Sequence, residues 1–372
     1  MKTRVPLLLS LVFAVGCSDS SVTGPASLGR VVAASTAAPA TAAPRITVMT
    51  QNMYIGADVD AVIAALASGD ATAAQEALLA AIDVLGRTDF RARAGALAAE
   101  IGRARPHVVG LQEVEDLHIH LGLPGDDDLD FLQILHDSLK GRGLPYKVAG
   151  QVTNLSAAPF AGVSVTDHDA ILVDSNRVTQ GPPTSHTYTA NFGTVPGTQI
   201  QLIRGFVAVD VTIGGMTIRI ASTHLEPDFD GISLADVRNA QASELAGMLG
   251  TASLAILLGD FNDTQGSDMY KAVTGAGFTD TWAVLRPPGT PALTCCELPD
   301  LSNLLPMLSG RIDYVFVRGI AGPQGRLLGD ITTVGDRPGD RVPGPSYRIW
   351  PSDHAGVVAS FLLPPAQGIA AR

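Results

Sequence analysis

Short apolar runs, each the length of one strand, end repeatedly in a small group of polar residues. Arg45 to Gln51 delivers Asn52, His107 to Leu111 delivers Gln112-Glu113, Met216 to Ser222 delivers Thr223-His224, and Leu254 to Leu258 delivers Gly259-Asp260-Phe261-Asn262. Two further islands, Arg311-Ile312-Asp313-Tyr314 and Ser352-Asp353-His354, follow near the C-terminus. Runs of this length, rich in Val, Ile and Leu, read as buried strands. A carboxylate, amide or imidazole cannot continue into an apolar core without a partner, so each island belongs where its strand leaves the sheet. The pattern therefore calls for a layered sheet-on-sheet core with helices outside, and chemistry on loops gathered at one sheet edge.

Further strands are expected at Tyr146 to Gln151, Ala170 to Asp174, Gln199 to Thr212 and Gly356 to Leu363, with Gly214-Gly215 as a hairpin turn before Met216. Ala57 to Glu100 is rich in Ala and Leu, with breaks at Gly69-Asp70 and Gly86, and reads as two or three helices. The last of them is expected from Thr88, as N-cap, to Arg105 before Pro106. The acids of Asp126 to Asp130 precede Phe131, Leu132, Ile134 and Leu135 at helical spacing and read as a helix start rather than a calcium loop, because they lack the alternating ligand pattern. Ser233 to Leu249 is a further helix.

The N-terminal residues carry Lys2 and Arg4, then an apolar stretch from Leu7 to Val15, then Gly16-Cys17, the layout of an export signal that is too short to span a bilayer. Ala14-Val15-Gly16-Cys17 resembles a bacterial lipobox, which makes Cys17 the lipidated first residue of the mature chain. Residues 18–44 are Ser, Thr, Ala, Pro and Gly with hardly a large side chain, a flexible tether. The organisation expected is a signal over 1–16, a lipidated linker over 17–44, one folded domain over 45–363 and a short tail over 364–372. The product would be exported and held at the periplasmic or outer face of a membrane by lipid alone, with simple secretion as the second choice, and monomeric.

A net charge of −11 argues against broad electrostatic adhesion to nucleic acid or an anionic bilayer, although a divalent ion could bridge an acidic site to a phosphate. Cys295 and Cys296 are adjacent and read either as a vicinal disulfide or as two thiols; with Cys17, these three cysteines offer no zinc spacing.

The islands supply hard oxygen ligands and proton carriers. Asn52 and Glu113 suit magnesium, which takes few protein groups and keeps several waters. Gly259 is expected to adopt an unusual backbone angle that turns Asp260 and Asn262 toward one point, the acid to take a proton from water and the amide to orient it. Asp313 paired with His354 would raise the imidazole pKa and set its tautomer, leaving Asp353 free for a cation, while His224 is a second imidazole at a strand end.

In this order the islands resemble the endonuclease/exonuclease/phosphatase superfamily, over most of the chain from Arg45 to about Leu363. The resemblance implies an α/β, four-layer αββα sandwich with two central, mostly antiparallel sheets, as in deoxyribonuclease, and metal-dependent cleavage of phosphate esters by in-line attack of water. It makes Glu113 the main metal carboxylate with Asn52 and Asp353 nearby, for Mg2+, with Mn2+ or Ca2+ as substitutes. Asp260 and Asn262 would position the water, Asp313 would polarise His354, and His224 would attend the leaving oxygen. Arg204, in Arg204-Gly205-Phe206, resembles the family's phosphate-facing arginine. The substrate could be a lipid, a sugar phosphate or a nucleic acid. The chain departs from the family in a long helical insertion after Asn52, in the absence of an acid two residues beyond Asn52, and in sparse basic residues around the islands. The competing reading is a catalytically inactive surface lipoprotein that binds a phosphorylated ligand or a protein in the same cleft.

Overall fold

The computed structural model describes residues 44–122, 125–229, 231–321 and 325–364. The expected signal segment, Cys17, the linker up to Ala43 and the tail beyond Pro364 lie outside the described residues.

Two large sheets face each other. The first runs in the order Gly329–Val334, Gly356–Leu362, Arg45–Asn52, Val108–Gln112, Val163–Asp174, Asp116–Ile119, Asp127–Asp130, with the long Tyr146–Phe160 strand also paired to Val163–Asp174. The second runs Thr279–Asp280, Asp313–Arg318, Ala255–Asp260, Met216–His224, Gly205–Ile213, with Thr179–Gln180 and Thr184–Thr187 along its far edge. Each contains one parallel pair, Arg45–Asn52 with Val108–Gln112 and Met216–His224 with Ala255–Asp260, and is otherwise antiparallel.

Strand side chains alternate between faces, and that alternation sorts the apolar residues into three cores and hence four layers. Ile46, Val48, Val108, Ile220, Ile256 and Val315 meet between the sheets. Met49, Val109 and Leu111 point the other way, onto Leu97 and Ile101 of the Phe90–Ala104 helix and Leu135 of the Phe131–Gly141 helix. Leu257 and Phe316 of the second sheet pack on Leu245 of the Ala235–Leu249 helix and Val273 of the Asp268–Gly275 helix. Gly110 lets the sheets approach closely: a Cβ there would lie 2.9 Å from both Leu258 Cβ and Ser222 Oγ.

The insertion forms three helices, Asp60–Ser68, Ala71–Thr88 and Phe90–Ala104. Gly69 ends the first at φ +75°, but Gly86 lies inside the second and breaks nothing. The N-cap of the third is Asp89, whose carboxylate accepts from Ala92 N; Thr88 instead spends its hydroxyl on Gly56 O at 2.8 Å. Asp130 caps the Phe131–Gly141 helix as expected of an acid there, while Asp127–Asp130 pairs as a strand with Asp116–Ile119, a pairing with no local signal. The expected Gln199 to Thr212 strand is broken at 203–204 and resumes at Gly205, and the strand expected from Arg311 begins at Asp313. Among the described residues no helix is long and apolar enough to cross a membrane.

Candidate active site

The inward register of the sheets builds the site. Ile218, Ile220, Ser222 and His224 share one face of their strand, as do Ile256, Leu258 and Asp260, and Asp313, Val315 and Val317. The apolar members fill the inter-sheet core, and the polar member emerges at its open end. Because His224 pairs with Asp260, and Asp260 with Asp313, the three stand side by side on adjacent strands. Asn52 occupies the matching position on the first sheet, continuing the face of Ile46, Val48 and Thr50.

Asp260 is the hub. Its Oδ2 accepts from Asn52 Nδ2 at 3.2 Å and lies 3.6 Å from His224 Nε2 and 3.7 Å from His354 Nε2, while Oδ1 accepts from the Asn262 amide at 2.8 Å. Burial, reinforced by Asp313, pushes its carboxyl up to about 7 against the pull of His354. The turn beyond it is anchored by Phe261, which points into the helix-side core and stacks edge-on against Tyr314 and Phe316. Asp260 and Asn262, on either side, therefore face the cleft. The unusual backbone angle falls on Asn262, at φ +50°, and not on Gly259, which answers a different need: a Cβ there would sit 2.3 Å from Thr223 O on the adjoining strand.

His354 Nδ1 hydrogen-bonds Asp313 Oδ2 at 2.8 Å. Burial alone would lower this imidazole's pKa, but Asp313, Asp353 and Asp260 overcome it and hold His354 well above the usual value. Ser352 fixes the loop by donating from Oγ to Asn52 O at 2.8 Å and accepting from His354 N at 3.1 Å, and the Thr294 hydroxyl accepts from Asp313 N at 3.2 Å. Cys295 and Cys296 are bonded to each other, and Cys296 Sγ lies 3.8 Å from His354 Nε2. His224 has the opposite electrostatics. Burial, the Arg204 guanidinium and His354 hold it well below the usual value, so it is neutral, accepting at Nε2 from Asn262 Nδ2 at 2.9 Å.

Glu113 lies one residue past its strand at φ +52° and accepts from Asn52 Nδ2 and from Ile55 N, both at 2.8 Å. Asn52 turns its Oδ1 to the Tyr54 amide at 2.9 Å, so the nitrogen end of its side chain faces the acids. Asp353 is half-buried, and burial, with Glu113 adding to it and His354 opposing, pushes its carboxyl up to about 7. Asp313 keeps Oδ1 buried without a hydrogen-bond partner. Carboxylates that repel one another around an orphaned oxygen fit a divalent cation, whose charge would relieve both strains. Glu113 Oε1 and Asp260 Oδ2 both accept from Asn52 Nδ2, and Glu113 adds to the burial that raises the Asp353 carboxyl, so these acids stand close together in the cleft.

Arg204 lines the cleft but is engaged: Nη1 donates to Asp167 Oδ2 at 3.3 Å and lies 3.2 Å from His224 Nδ1, and Nε is 3.7 Å from Glu226 Oε1. Around it lie acids that the sequence reading did not single out, Glu115, Asp167 and Asp169; the alternation in Asp167-His168-Asp169 was their only signal. Arg93 was missed too and had none. Fully buried on the third insertion helix, it donates to Met53 O, Tyr54 O and Thr88 O at 2.6, 2.9 and 2.9 Å and reaches Pro351 O at 3.4 Å, tying the Asn52 and His354 loops together.

No curated protein matches the chain in sequence. Among solved structures, it is similar to an endonuclease/exonuclease/phosphatase family protein of Bacteroides thetaiotaomicron, with 17% identity, a TM-score of 0.55, and 86% of this chain and 98% of that one covered. It is also similar to a mannosyl-6-phosphatase of the same organism (18%, TM-score 0.52, 86% and 100% covered) and to the human Nocturnin catalytic domain with bound sulfate (17%, 0.53, 86% and 94%). At such identities these likenesses show the fold, the expected sandwich of two mostly antiparallel sheets flanked by helices. The model of the endonuclease/exonuclease/phosphatase family matches residues 80–354, well over half of the length and every strand-end island from Glu113 to His354. On that match, the chain belongs to the endonuclease/exonuclease/phosphatase family.

Proposed function

We propose that the protein hydrolyses a phosphodiester by in-line attack of water, with a divalent cation, Mg2+ by preference, held at Glu113 and Asp353. Family membership supports the class, a hydrolase of phosphate ester bonds. The observation that carries the finer reading is the position of Asp260 Oδ2, between the Nε2 atoms of His224 and His354 and within hydrogen-bond reach of Asn52.

The bound ion would screen the phosphate charge and stabilise the leaving oxygen. The chain's own residues do the rest. Asp260, its Oδ1 pinned by the Asn262 amide, offers an acceptor for the proton of the attacking water. His354, kept cationic by Asp313, faces the phosphoryl oxygens with a fixed positive charge. His224, neutral and locked by Asn262, orients the same amide toward the water.

The test is hydrolysis of bis(4-nitrophenyl) phosphate in Mg2+. His354→Ala should lower kcat by at least about a thousandfold, the scale of losing a preorganised charge-stabilising group. Turnover equal to the parent protein's, or turnover that persists in excess chelator, refutes the assignment. A folded protein that binds inorganic phosphate but turns nothing over would favour the inactive binding lipoprotein.

A further inference from the structure

Beyond Arg93 on its third helix, the insertion after Asn52 has no role in the catalytic reading. Its first two helices roof a cavity of about 430 Å3 that opens directly onto the catalytic groups, with Glu113, Arg204, His224, Asp260, Asn262 and His354 at one end. Away from that end the walls change character. Ile63, Leu66, Ile82 and Leu85 come from the insertion, and Leu117, Leu155, Val163, Val165 and Ile200 come from the strands and loop opposite. Of these, all but Leu117 are half-buried; Leu85 and Val165 pack against the core beneath the first sheet, and the others border the cavity without joining a core. A concave apolar surface of this size, continuous with a polar reaction centre, is the form of a pocket that takes a ligand with an apolar part.

The outer face of the same roof decides which ligand. Asp58, Asp70, Glu76 and Asp83 are exposed around it against the single basic residue Arg87, which is itself paired with Asp83 at 3.0 Å, and Asp60 lines the cavity. A polyanionic strand would meet these acids with no counterion release to gain, and its charged backbone could use none of the aliphatic wall. A single phosphate carrying a hydrocarbon chain satisfies both ends, the headgroup at His354 and Asp260 and the chain among Ile63, Leu66 and Val165.

Resting on the phosphodiesterase reading, we infer that the substrate is an amphiphilic phosphodiester, of the chemical class of lipid phosphodiesters, whose alkyl chain occupies the chamber beneath the insertion helices. The chamber makes turnover depend on chain length. The probes are methyl, butyl and octyl 4-nitrophenyl phosphate diesters in Mg2+, each below its micelle concentration. Each added methylene should raise kcat/KM by about twofold to fourfold until the chamber is filled, fourfold being full burial. An octyl diester cleaved no better than the methyl diester overturns the inference while leaving the catalytic reading intact. Ile63→Asn, which wets the wall, and Ala81→Phe, which at a further lining residue on the second helix fills the chamber without adding charge, should each shrink the octyl-to-methyl ratio by about tenfold. The second variant keeps the test decisive if the first fails to fold, and an unchanged ratio in a folded Ala81→Phe also overturns it. Should no diester be turned over, the catalytic reading fails instead. Calorimetry then still decides the chamber, since octylphosphonate must bind more tightly than methylphosphonate.

Discussion

Arg93 is the residue on which the geometry of the site depends most without touching it. Its guanidinium is fully buried and makes three short hydrogen bonds to the carbonyls of Met53, Tyr54 and Thr88, plus a longer one to Pro351. Bonds from a charged donor contribute roughly 1.5–3 kcal/mol each, so the three together stabilise the fold by about 6 kcal/mol. Against this stands the cost of keeping the charge out of water. Burial pulls the guanidinium down to about 10, a penalty of roughly 3 kcal/mol. Arg93→Met keeps the stem volume, removes the penalty and leaves the carbonyls without their donor, a net loss of about 3 kcal/mol. Activity should fall further than stability explains. Met53 to Ile55 carries the amide that holds Glu113, and Pro351 leads directly into Ser352-Asp353-His354, so both flanks of the cleft lose their common tie. A displacement of about 1 Å costs on the order of a hundredfold in rate. Urea unfolding gives the first quantity, and kcat on bis(4-nitrophenyl) phosphate, measured well below the unfolding midpoint, gives the second. Arg93→Lys should recover part of the stability and little of kcat, because one ammonium cannot span carbonyls from four separate residues. A Met variant with parental midpoint and parental kcat would show that the loops hold themselves and that the reasoning is wrong.

Two other outcomes follow from buried or crowded acids. Glu100, almost fully buried with Oε2 lacking a partner, has its carboxyl pushed up to about 8 by burial and then by Asp340, against Arg103. The folded state keeps a proton that the unfolded chain releases above 4.5. Its contribution is therefore complete below that pH and is lost as pH climbs to about 8, at roughly 1.4 kcal/mol per pH unit. Glu100→Gln should flatten the pH dependence of the unfolding free energy across this window, and a variant with the parental slope would place the proton uptake elsewhere. Crowding of Glu113, Asp353, Asp260 and Asp313 predicts that millimolar Mg2+ or Mn2+ raises the melting temperature, that chelator reverses the gain, and that Glu113→Gln abolishes it. A parental response in Glu113→Gln, followed by differential scanning fluorimetry, would move the cation to other ligands.

What a reader of the sequence can see is what the chain encodes locally. An apolar strand with a polar residue at its end is a short-range pattern, and period-two alternation carries each inward side chain from the core to the rim. Asn52, His224, Asp260 and Asp313 were legible for that reason, and Glu113, Asn262 and His354 because they lie within two residues of such ends or in an equally compact island. The ordering of these islands was distinctive enough to indicate the family and its layered fold. Other features have no local record. Arg93 looks like any arginine on an amphipathic helix until the Met53 and Pro351 carbonyls, 40 and 258 residues away, are brought to it. The pairing of Asp127–Asp130 as a strand, the requirement for glycine at 259 and the engagement of Arg204 by Asp167 and Glu226 likewise depend on contacts between distant segments. So does the chamber. The apolar residues of the insertion announce helices in the sequence, but only tertiary packing decides that one face is left uncovered and that the catalytic groups lie at its end. Local patterning is fixed by the chemistry of neighbouring side chains, whereas burial, pKa and cavity shape arise from groups that meet only when the sheets close on each other.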